Sequence, residues 1–583
     1  MIPQITVLDA GGQYCHLIAR KVRELGVYAE VAPSETAIAA LAGRRGVIIS
    51  GGPSSVYDPG SPTIDPALLE AGTPVLGICY GQQIIAHLLG GQVQKGEHGE
   101  YGFAQLEICS GDGILNHVEG PQQVWMSHRD TVVAPPSGFD VLARTETCTV
   151  AAMASSKRRL YAVQFHPEVA HTPCGQTILK NFLFDVCGCE RDWDPAGQIQ
   201  TVEDQIRAVA GDRNVFFFVS GGVDSTVACT LCLRALGSDR VHATYVDTGL
   251  MREGETEFVR ENFAQIGAGH FAVHDARAQF LPALAGVSDP EEKRRIIGRL
   301  FVDVQETILE SEHYLDGHWI FGQGTIYPDT IESGGTAKAD LIKTHHNRVA
   351  GIQELIAEGR IVEPLASFYK DEVRAIGREV GIRAEMLDRH PFPGPGLAIR
   401  CLCSTTGGVP ERSDAGWILP VRSVGVQGDS RTYRPVLALS EFPSTEEEAA
   451  RLINRCATVN RIVVAAWTAR PIEALRVFPA ALSEARLDRL RRADAIVRRI
   501  AHESGFDKEI WQFPVVLIPV GTDDRPDAVV LRPVDSVDGM TARAVRMPED
   551  LLARMVRELS GIEGIGGVFY DLTNKPPATI EWE

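Results

Sequence analysis

The chain has 583 residues, of which 44% are hydrophobic and 23% are charged, and its formal net charge at pH 7 is −19. Such a length and composition are typical of a globular protein with roughly three or four domains. The net negative charge and the lack of a dense lysine or arginine run disfavour nucleic acid and anionic membranes as partners, because their phosphates would repel the chain.

The amino-terminal sequence and the cysteines favour a protein of the reducing cytosol. The first residues, MIPQITVLDAGGQYC, lack the basic stretch and apolar core of a signal peptide, and no apolar run is long enough to span a bilayer. The 12 cysteines show neither a disulfide framework nor zinc-ligand spacing. Cys229 and Cys232 fall inside a predicted helix, where we expect two small core residues without a redox or metal role.

The first two regions predict an α/β fold class, with two doubly wound parallel-sheet domains. Residues 1–190 contain the runs QITVLDAGG, GVIISGG and PVLGICYG, which are nearly continuous in apolar residues and end in glycine. Such runs are typical of parallel strands covered on both faces. The polar segment 187–198 predicts a linker. Residues 197–400 form the second predicted domain, with strands VFFFVS, RVHATYVDTG and HWIFGQGT.

The rest of the chain contains a faint internal repeat. WILPVRSVGVQGDSRTYRPVLALSE resembles QFPVVLIPVGTDDRPDAVVLRPVDS, and each stretch is followed by a helix with an acidic start and by a short strand. We interpret the two copies as small α+β subdomains of β-β-α-β order, at 401–481 and 482–583. Chance similarity between two sheet-helix segments is the alternative.

Cys79 has the sequence context of a catalytic nucleophile. It lies in GICYG, between an apolar strand and a helix, which is the layout of a nucleophile elbow. The helix amino terminus favours a thiolate, and the backbone N–H groups of Tyr80 and Gly52 can stabilise an oxyanion. In QFHPE, His166 and Glu168 are two residues apart on an extended segment, so Glu168 can orient His166 as the base for Cys79.

The strings GICYGQQ and QFHPE resemble the signatures of class I glutamine amidotransferases, and the resemblance covers the whole first region. It implies hydrolysis of glutamine through a thioester, with release of ammonia. A cysteine protease is a weaker interpretation of the same three residues.

The stretch SGGVDST after the strand VFFFV predicts a phosphate-binding turn. Its backbone N–H groups, its hydroxyls and the following helix amino terminus form an anion nest, and it lacks the lysine of a kinase-type loop. The stretch resembles the loop of the ATP pyrophosphatase superfamily, which implies release of pyrophosphate and an adenylated substrate. Asp224 is suited to Mg²⁺ rather than to phosphate. The loop residues are Ser220, Gly221, Gly222, Val223, Asp224, Ser225 and Thr226.

Later strings resemble the GMP synthetase family over essentially the full length: EEKRRIIG, GQGTIYPDTIESG, IKTHHN, RHPFPGPGLAIR and KPPATIEWE. The resemblance implies that the acceptor is xanthosine 5′-monophosphate (XMP), that ATP is the co-substrate, and that ammonia converts the adenylated base to GMP. It also implies a set of XMP-site positions, of which Arg294 and Lys575 suit phosphate contacts. The set is Arg294, Asp429, Gln512, Lys575 and Glu581. Lys343 could neutralise ATP phosphates.

The repeated carboxyl-terminal unit is similar to that of the longer, animal-type GMP synthetases. We expect the two copies to pack as an internal pseudo-dimer in which Asp429 replaces a group otherwise donated by a partner subunit. A monomer is then expected, with a homodimer as the alternative.

Three other functions are compatible with parts of the sequence. The chain could be a glutamine-dependent amidotransferase for another acceptor, a protease, or a nucleotide-binding regulator without catalysis. The complete set of Cys79, His166, Glu168 and the SGGVDST stretch argues against a regulator, which needs no nucleophile.

Overall fold

The computed structural model describes residues 2–96, 100–332, 349–427, 430–445, 448, 451–453, 456, 458–536 and 541–583. The chain forms two compact units. Unit 1 consists of the residues up to Gln198 and a short segment that starts at Tyr327. Unit 2 consists of Ile199–Ile326 and the described residues from 349 on. Among the described residues, no helix is both long enough and apolar enough to cross a membrane.

Unit 1 is built on a nine-stranded sheet in the order β2-β1-β3-β4-β11-β10-β9-β6-β7, with β5 and β8 as a separate pair. Its strands are β1 (Ile5–Asp9), β2 (Ala29–Pro33), β3 (Gly46–Ile49), β4 (Val75–Ile78), β5 (Gln92–Gln94), β6 (Glu100–Ile108), β7 (Gln122–His128), β8 (Thr131–Ala134), β9 (Asp140–Arg144), β10 (Ala152–Ser155) and β11 (Leu160–Val163). Its helices are α1 (Cys15–Glu24), α2 (Tyr80–Leu88), α3 (Gly175–Lys180) and an unlabelled short helix, Tyr327–Glu332.

The prediction of a parallel sheet is right for only half of unit 1. Strands β2, β1, β3, β4 and β11 are parallel, whereas β10, β9, β6 and β7 continue the sheet as antiparallel strands. Strand β6 alternates between more and less exposed positions. Such alternation is typical of an antiparallel strand with one face in water, and the buried strands β3 and β4 lack it.

The first part of unit 2 is a five-stranded, entirely parallel sheet in the order β14-β13-β12-β15-β16. Its strands are β12 (Asn214–Val219), β13 (Val241–Asp247), β14 (His270–Asp275), β15 (Trp319–Gly322) and β16 (Ile361–Val362). Its helices are α4 (Ile199–Ala210), α5 (Val223–Leu236), α6 (Glu255–Gln265), α7 (Arg277–Ala283), α8 (Pro290–Ser311), α9 (Ala350–Ala357), α10 (Lys370–Glu379) and α11 (Ala384–Leu387). Cys229 and Cys232 are fully buried inside α5, as predicted. Burial raises the pKa of Cys229 to about 12.

The last part of unit 2 is a seven-stranded sheet in the order β17-β18-β19-β20-β27-β24-β22. Its strands are β17 (Glu411–Ser413), β18 (Gly416–Gln427), β19 (Ser430–Leu439), β20 (Arg461–Thr468), β22 (Val515–Ile518), β24 (Asp527–Leu531) and β27 (Ile565–Asp571). Short pairs are formed by β21 (Arg476–Val477) with β23 (Val520–Gly521), and by β25 (Val534–Asp535) with β26 (Arg543–Ala544). The helices of this part are α12 (Glu484–Ser504) and α13 (Glu549–Leu559).

The two predicted repeats contribute matching halves of this sheet. In each half an antiparallel pair is followed by a parallel neighbour: β18-β19-β20 in one, β22-β24-β27 in the other. The halves meet where β20 pairs with β27 in antiparallel register. One core holds Val436 and Val463 from the first half with Val530 and Phe569 from the second. The two predicted subdomains are joined, because the pairing of β20 with β27 makes their strands one continuous sheet and leaves neither strand as an open edge.

Candidate active sites

Cys79 occupies a strained turn between β4 and α2. Its φ of 54° and ψ of −105° lie in a region that is unfavourable for a residue with a side chain. The flanking glycines are explained by close approaches of the backbone. A Cβ atom on Gly77 would lie 2.4 Å from the carbonyl oxygen of Gly81, and one on Gly81 would lie 2.4 Å from the carbonyl oxygen of Ile49. The GICYG string thus permits a turn that presents a cysteine above the end of the sheet.

Both predicted oxyanion donors belong to segments beside Cys79. Tyr80 is the first residue of α2, so its N–H has no acceptor within the helix. Gly52 follows Gly51 in the turn after β3. A Cβ atom on Gly51 would lie 3.5 Å from the Cβ of Cys79 and 3.2 Å from Cε1 of His166. The glycine turn therefore borders both Cys79 and His166.

His166 and Glu168 form a buried pair. The Nδ1 atom of His166 lies 2.7 Å from Oε1 of Glu168, and the two side chains are 5% and 0% exposed. Burial alone would lower the pKa of His166. The charge of Glu168 and hydrogen bonds with Cys79 and Glu168 outweigh burial, and they hold the pKa well above its ordinary value. An imidazolium beside a cysteine is an arrangement that activates the sulfur as a nucleophile.

The sulfur of Cys79 is held by further contacts inside unit 1. It lies 3.6 Å from the backbone oxygen of Ser127 and 3.6 Å from Nε2 of Gln164. Gln83 of α2 donates to the backbone oxygen of Asp130 at 2.7 Å, which ties the helix that follows the nucleophile to the neighbouring loop. The site therefore has a fixed geometry within a buried setting.

The SGGVDST stretch forms the turn between β12 and α5. Gly221 has a φ of 72°, which a residue with a side chain rarely adopts. The Ser220 Oγ accepts from the N–H of Gly222 at 3.2 Å, and the Ser225 and Thr226 hydroxyls donate to the carbonyl oxygen of Gly222. Because α5 begins at Val223, its first N–H groups have no intrahelical acceptors and are available to an anion.

Asp224 pairs with Lys370, a residue that the sequence analysis did not single out. The Nζ atom of Lys370 contacts Oδ2 of Asp224. The other carboxylate oxygen of Asp224 is buried, and no hydrogen-bond partner for it is found among the described residues. Lys370 is the first residue of α10, where a positive charge is unfavourable for the helix dipole. A lysine at the start of a helix was therefore the sequence signal that could have singled this residue out.

Arg389, from the string RHPFPGPG, lies beside the same loop and was also missed as a site residue. Its Nη1 atom lies 3.5 Å from the carbonyl oxygen of Gly221, and its Nη2 donates to both carboxylate oxygens of Glu255 at 2.7 and 2.6 Å. The guanidinium also lies 4.5 Å from the ring centre of Phe258. A second fixed cation therefore stands at the edge of the SGGVDST turn.

Three of the predicted XMP-site residues meet around the tail segment, which we define as residues 575–583. Glu581 accepts from Nε and Nη2 of Arg400 at 2.8 and 2.6 Å and from Nε2 of Gln512 at 3.3 Å. The Nη2 of Arg294 donates to the backbone oxygen of Glu583 at 2.5 Å. Arg400 is fully buried, and its Nη1 has no partner among the residues that the structure describes.

The structure says less about the other predicted substrate-site residues. Lys575 begins the tail segment, where its backbone exchanges hydrogen bonds with Ala542. Lys343 and Asp429 lie outside the described residues. Within the part of the chain that the structure describes, no cluster of three or more histidine, cysteine, aspartate or glutamate side chains could hold a metal ion.

Unit 1 thus carries a cysteine on a strained strand-helix turn beside a buried histidine-glutamate pair, and unit 2 carries a glycine-rich turn at the end of a parallel sheet. The class I glutamine amidotransferase family matches residues 6–186, the NAD synthase family matches residues 198–267, and the GMP synthase C-terminal domain family matches residues 499–582. These features define a glutamine amidotransferase joined to an ATP-using synthetase.

Relatives that match the chain over its full length identify the family within this class. The GMP synthase (glutamine-hydrolysing) of Thermomicrobium roseum is 42% identical over 99% of this chain and 96% of its own length. That of Caldicellulosiruptor saccharolyticus is 40% identical over 99% of both chains. The chain belongs to the glutamine-hydrolysing GMP synthase family. A solved glutamine amidotransferase of Thermotoga maritima is 21% identical over 28% of this chain and 76% of its own length, with a TM-score of 0.24. The relatives are bacterial, and they give no support to the predicted likeness to animal-type enzymes.

Proposed function

We propose that this protein makes GMP from XMP, ATP and glutamine in the cytosol, releasing glutamate, AMP and pyrophosphate. The observation that supports this function best is the strained Cys79 turn beside the buried pair of His166 and Glu168. In the same chain, a lysine-free phosphate loop offers the means to activate an acceptor. One site supplies ammonia and the other prepares the atom that ammonia replaces.

In unit 1, the Cys79 sulfur attacks the side-chain carbonyl carbon of glutamine. The negative charge on the carbonyl oxygen is met by the N–H groups of Gly52 and Tyr80. His166 gives its proton to the leaving nitrogen, so ammonia departs and a thioester stays on Cys79. Water, deprotonated by His166, then hydrolyses the thioester to glutamate and restores the thiolate. Glu168 holds the imidazole in one orientation throughout.

In unit 2, the SGGVDST turn and the amino terminus of α5 hold the phosphates of ATP. The C2 oxygen of XMP attacks the α-phosphorus, and pyrophosphate leaves with the bonding electrons. Ammonia then attacks C2, and AMP departs with the former C2 oxygen to leave GMP. Lys370 and Arg389 are placed to meet phosphate charge near the loop. Lys343 is proposed for the same task from the sequence.

Mg²⁺ fits this site through Asp224, whose buried second oxygen has no partner among the described residues. One carboxylate plus substrate phosphates is a usual ligand set for Mg²⁺, which would neutralise phosphate charge there. For XMP, we propose Arg294 and Lys575 as phosphate contacts, and Gln512, Glu581 and Asp429 as polar contacts of the nucleotide.

The test of this function is direct. Purified protein is incubated with Mg²⁺, ATP, XMP and glutamine, and GMP, AMP and pyrophosphate are quantified against time. Equal amounts of the three products are expected. If AMP and pyrophosphate fail to appear with XMP but appear with another acceptor, the protein has a different substrate and the proposal is wrong.

The raised pKa of His166 gives a pH prediction for Glu168→Gln. The substitution removes the charge that keeps the imidazole protonated, so His166 loses its proton at lower pH. Because the imidazolium must protonate the leaving nitrogen, the alkaline side of the pH profile of glutamine hydrolysis should shift to lower pH. We expect kcat/KM to fall by about 10–100-fold. Glu107→Gln, an exposed carboxylate beside Arg144 in the same unit, is the control. An unshifted alkaline limb in Glu168→Gln would contradict this role.

We also propose that the two halves of the seven-stranded sheet arose by duplication and replace the partner subunit of a dimer. The matching strand orders on both sides of the β20–β27 pair support this idea. Light scattering after size exclusion should then give the mass of one chain, 63.4 kDa. A dimer joined through this sheet at working concentration would contradict the proposal.

A further inference from the structure

The tail segment is anchored by a network of buried charges that the proposed chemistry does not use. Arg461 opens β20, in the first half of the sheet, whereas Arg532 follows β24 and Asp571 ends β27, in the second half. All three side chains are fully buried. The Nη1 atoms of both arginines lie 2.8 Å from the same oxygen of Asp571, and the indole N–H of Trp582 donates to that oxygen at 2.9 Å.

The same two arginines hold the backbone of the tail segment. Nη2 of Arg461 donates to the carbonyl oxygens of Thr579 and Glu581 at 2.8 and 2.7 Å. Nε and Nη2 of Arg532 donate to the carbonyl oxygens of Ile580 and Thr579, each at 2.9 Å. Three consecutive carbonyl groups, those of residues 579–581, are therefore fixed by guanidinium groups. The guanidinium of Arg461 also lies 4.9 Å from the ring centre of Trp582.

Charge balance explains why the tail segment is needed there. Two guanidinium groups face one carboxylate, so one positive charge is in excess among fully buried side chains. Burial and the charge of Arg532 lower the pKa of Arg461 to about 9, against the opposing effect of Asp571. Carbonyl dipoles of the tail segment supply the missing negative potential, and an unpaired buried guanidinium is strongly unfavourable. Most donors of the two guanidinium groups thus have acceptors only when residues 579–581 are in place, although Nε of Arg461 has no hydrogen-bond partner among the described residues.

The tail segment carries Glu581, whose carboxylate meets Arg400 and Gln512. Its other end is fixed by Glu583, whose Oε2 lies 2.5 Å from Nζ of the fully buried Lys293. Between these contacts Trp582 is fully buried in the core shared by both halves of the sheet. The direction of the Glu581 side chain therefore depends on the contacts that hold the backbone of the tail segment against the core.

We propose that Arg461, together with Arg532 and Asp571, is a positioning residue for the XMP site. These residues fix the backbone of residues 579–581 and thereby aim the Glu581 carboxylate at the nucleotide. Arg461 comes from the first half of the sheet and the tail segment from the second, so the site requires both halves. This inference rests on the proposed XMP function of Glu581.

The test compares Arg461→Met with Arg486→Met. Arg486 is a matched control because it is also a buried arginine of unit 2. It pairs with Asp527 at 2.8 Å and donates to the backbone oxygens of Leu402 and Ala481 at 2.8 and 3.3 Å, and none of these partners lies in the tail segment. Both variants should lower Tm. Only Arg461→Met should raise the KM for XMP, by about 10-fold or more, with ammonium as nitrogen source and with the KM for ATP changed less than about 3-fold.

Arg461→Lys keeps the charge but cannot span all the acceptors, so its KM for XMP should lie between those of wild type and Arg461→Met. It also serves as the test variant if Arg461→Met does not fold. Equal effects of the Arg461 and Arg486 substitutions on the KM for XMP, or no effect of either, would overturn the inference.

Hydrogen exchange separates this inference from the proposed function. In the ligand-free protein, amides of residues 578–583 should exchange faster in the Arg461 variant than in wild type or Arg486→Met. Faster exchange in a protein that makes no GMP would support the anchoring network while rejecting XMP as substrate. Unchanged exchange in the Arg461 variant would overturn the anchoring itself, whatever the substrate.

Discussion

Replacing Cys79 by serine is expected to abolish GMP formation from glutamine while leaving GMP formation from ammonium salts nearly unchanged. In the proposed mechanism the thiolate of Cys79 attacks glutamine, and a serine hydroxyl beside the same histidine is a far weaker nucleophile. The loss should be at least about 10³-fold in kcat/KM for glutamine. The sites are chemically independent in this test, because added ammonium replaces the product of unit 1.

The control for this prediction is Cys15→Ala. Cys15 is a buried cysteine at the start of α1 in the same unit, with 2% of its surface exposed, and the mechanism gives it no role. Both nitrogen sources should support GMP formation in this variant. If Cys79→Ser still used glutamine at close to the wild-type rate, the nucleophile would have to be a different residue.

Replacing Asp224 by asparagine is expected to stop GMP formation from both nitrogen sources. Asparagine keeps the shape of the side chain but removes the charge that pairs with Lys370 and would help to hold Mg²⁺. AMP and pyrophosphate release should fall by about 10²-fold or more. Glutamine hydrolysis in the absence of XMP and ATP should remain at its wild-type level, because Cys79, His166 and Glu168 are untouched.

Asp239→Asn provides the comparison, since Asp239 is an exposed residue just beyond the other end of α5. Its pyrophosphate release should match that of the wild type. Normal pyrophosphate release by Asp224→Asn would exclude a role for this carboxylate in the adenylation step. Together, the Cys79 and Asp224 variants assign one half-reaction to each unit.

The local motifs could be predicted from the sequence because the residues that form each motif are close together in the chain. The elbow needs glycines where the backbone passes within contact distance, and GICYG provides them next to Cys79. The SGGVDST stretch similarly places its own glycines, hydroxyls and helix start together. The pair of His166 and Glu168 follows from extended backbone geometry over three residues.

Contacts between distant segments were not predictable in this way. Lys370 meets Asp224 across 146 positions of the chain, and Arg400 meets Glu581 across 181. Only the packed fold brings such residues together, so the sequence offered at most a hint, such as a lysine at a helix amino terminus. The antiparallel half of the first sheet was missed for a related reason. The order and direction of these strands depend on pairing between distant segments, which local periodicity does not reveal.

The pairing of β20 with β27 has a consequence for how the protein responds to dilution and to mutation. Two halves joined by one chain meet at a fixed effective concentration, so the sheet that supports the tail segment does not come apart when the protein is dilute. Each position of this sheet also exists once in the chain. If the two halves arose by the proposed duplication, a substitution in β20 leaves its counterpart in the other half unchanged, and each half is free to specialise, one as support and the other as carrier of Glu581.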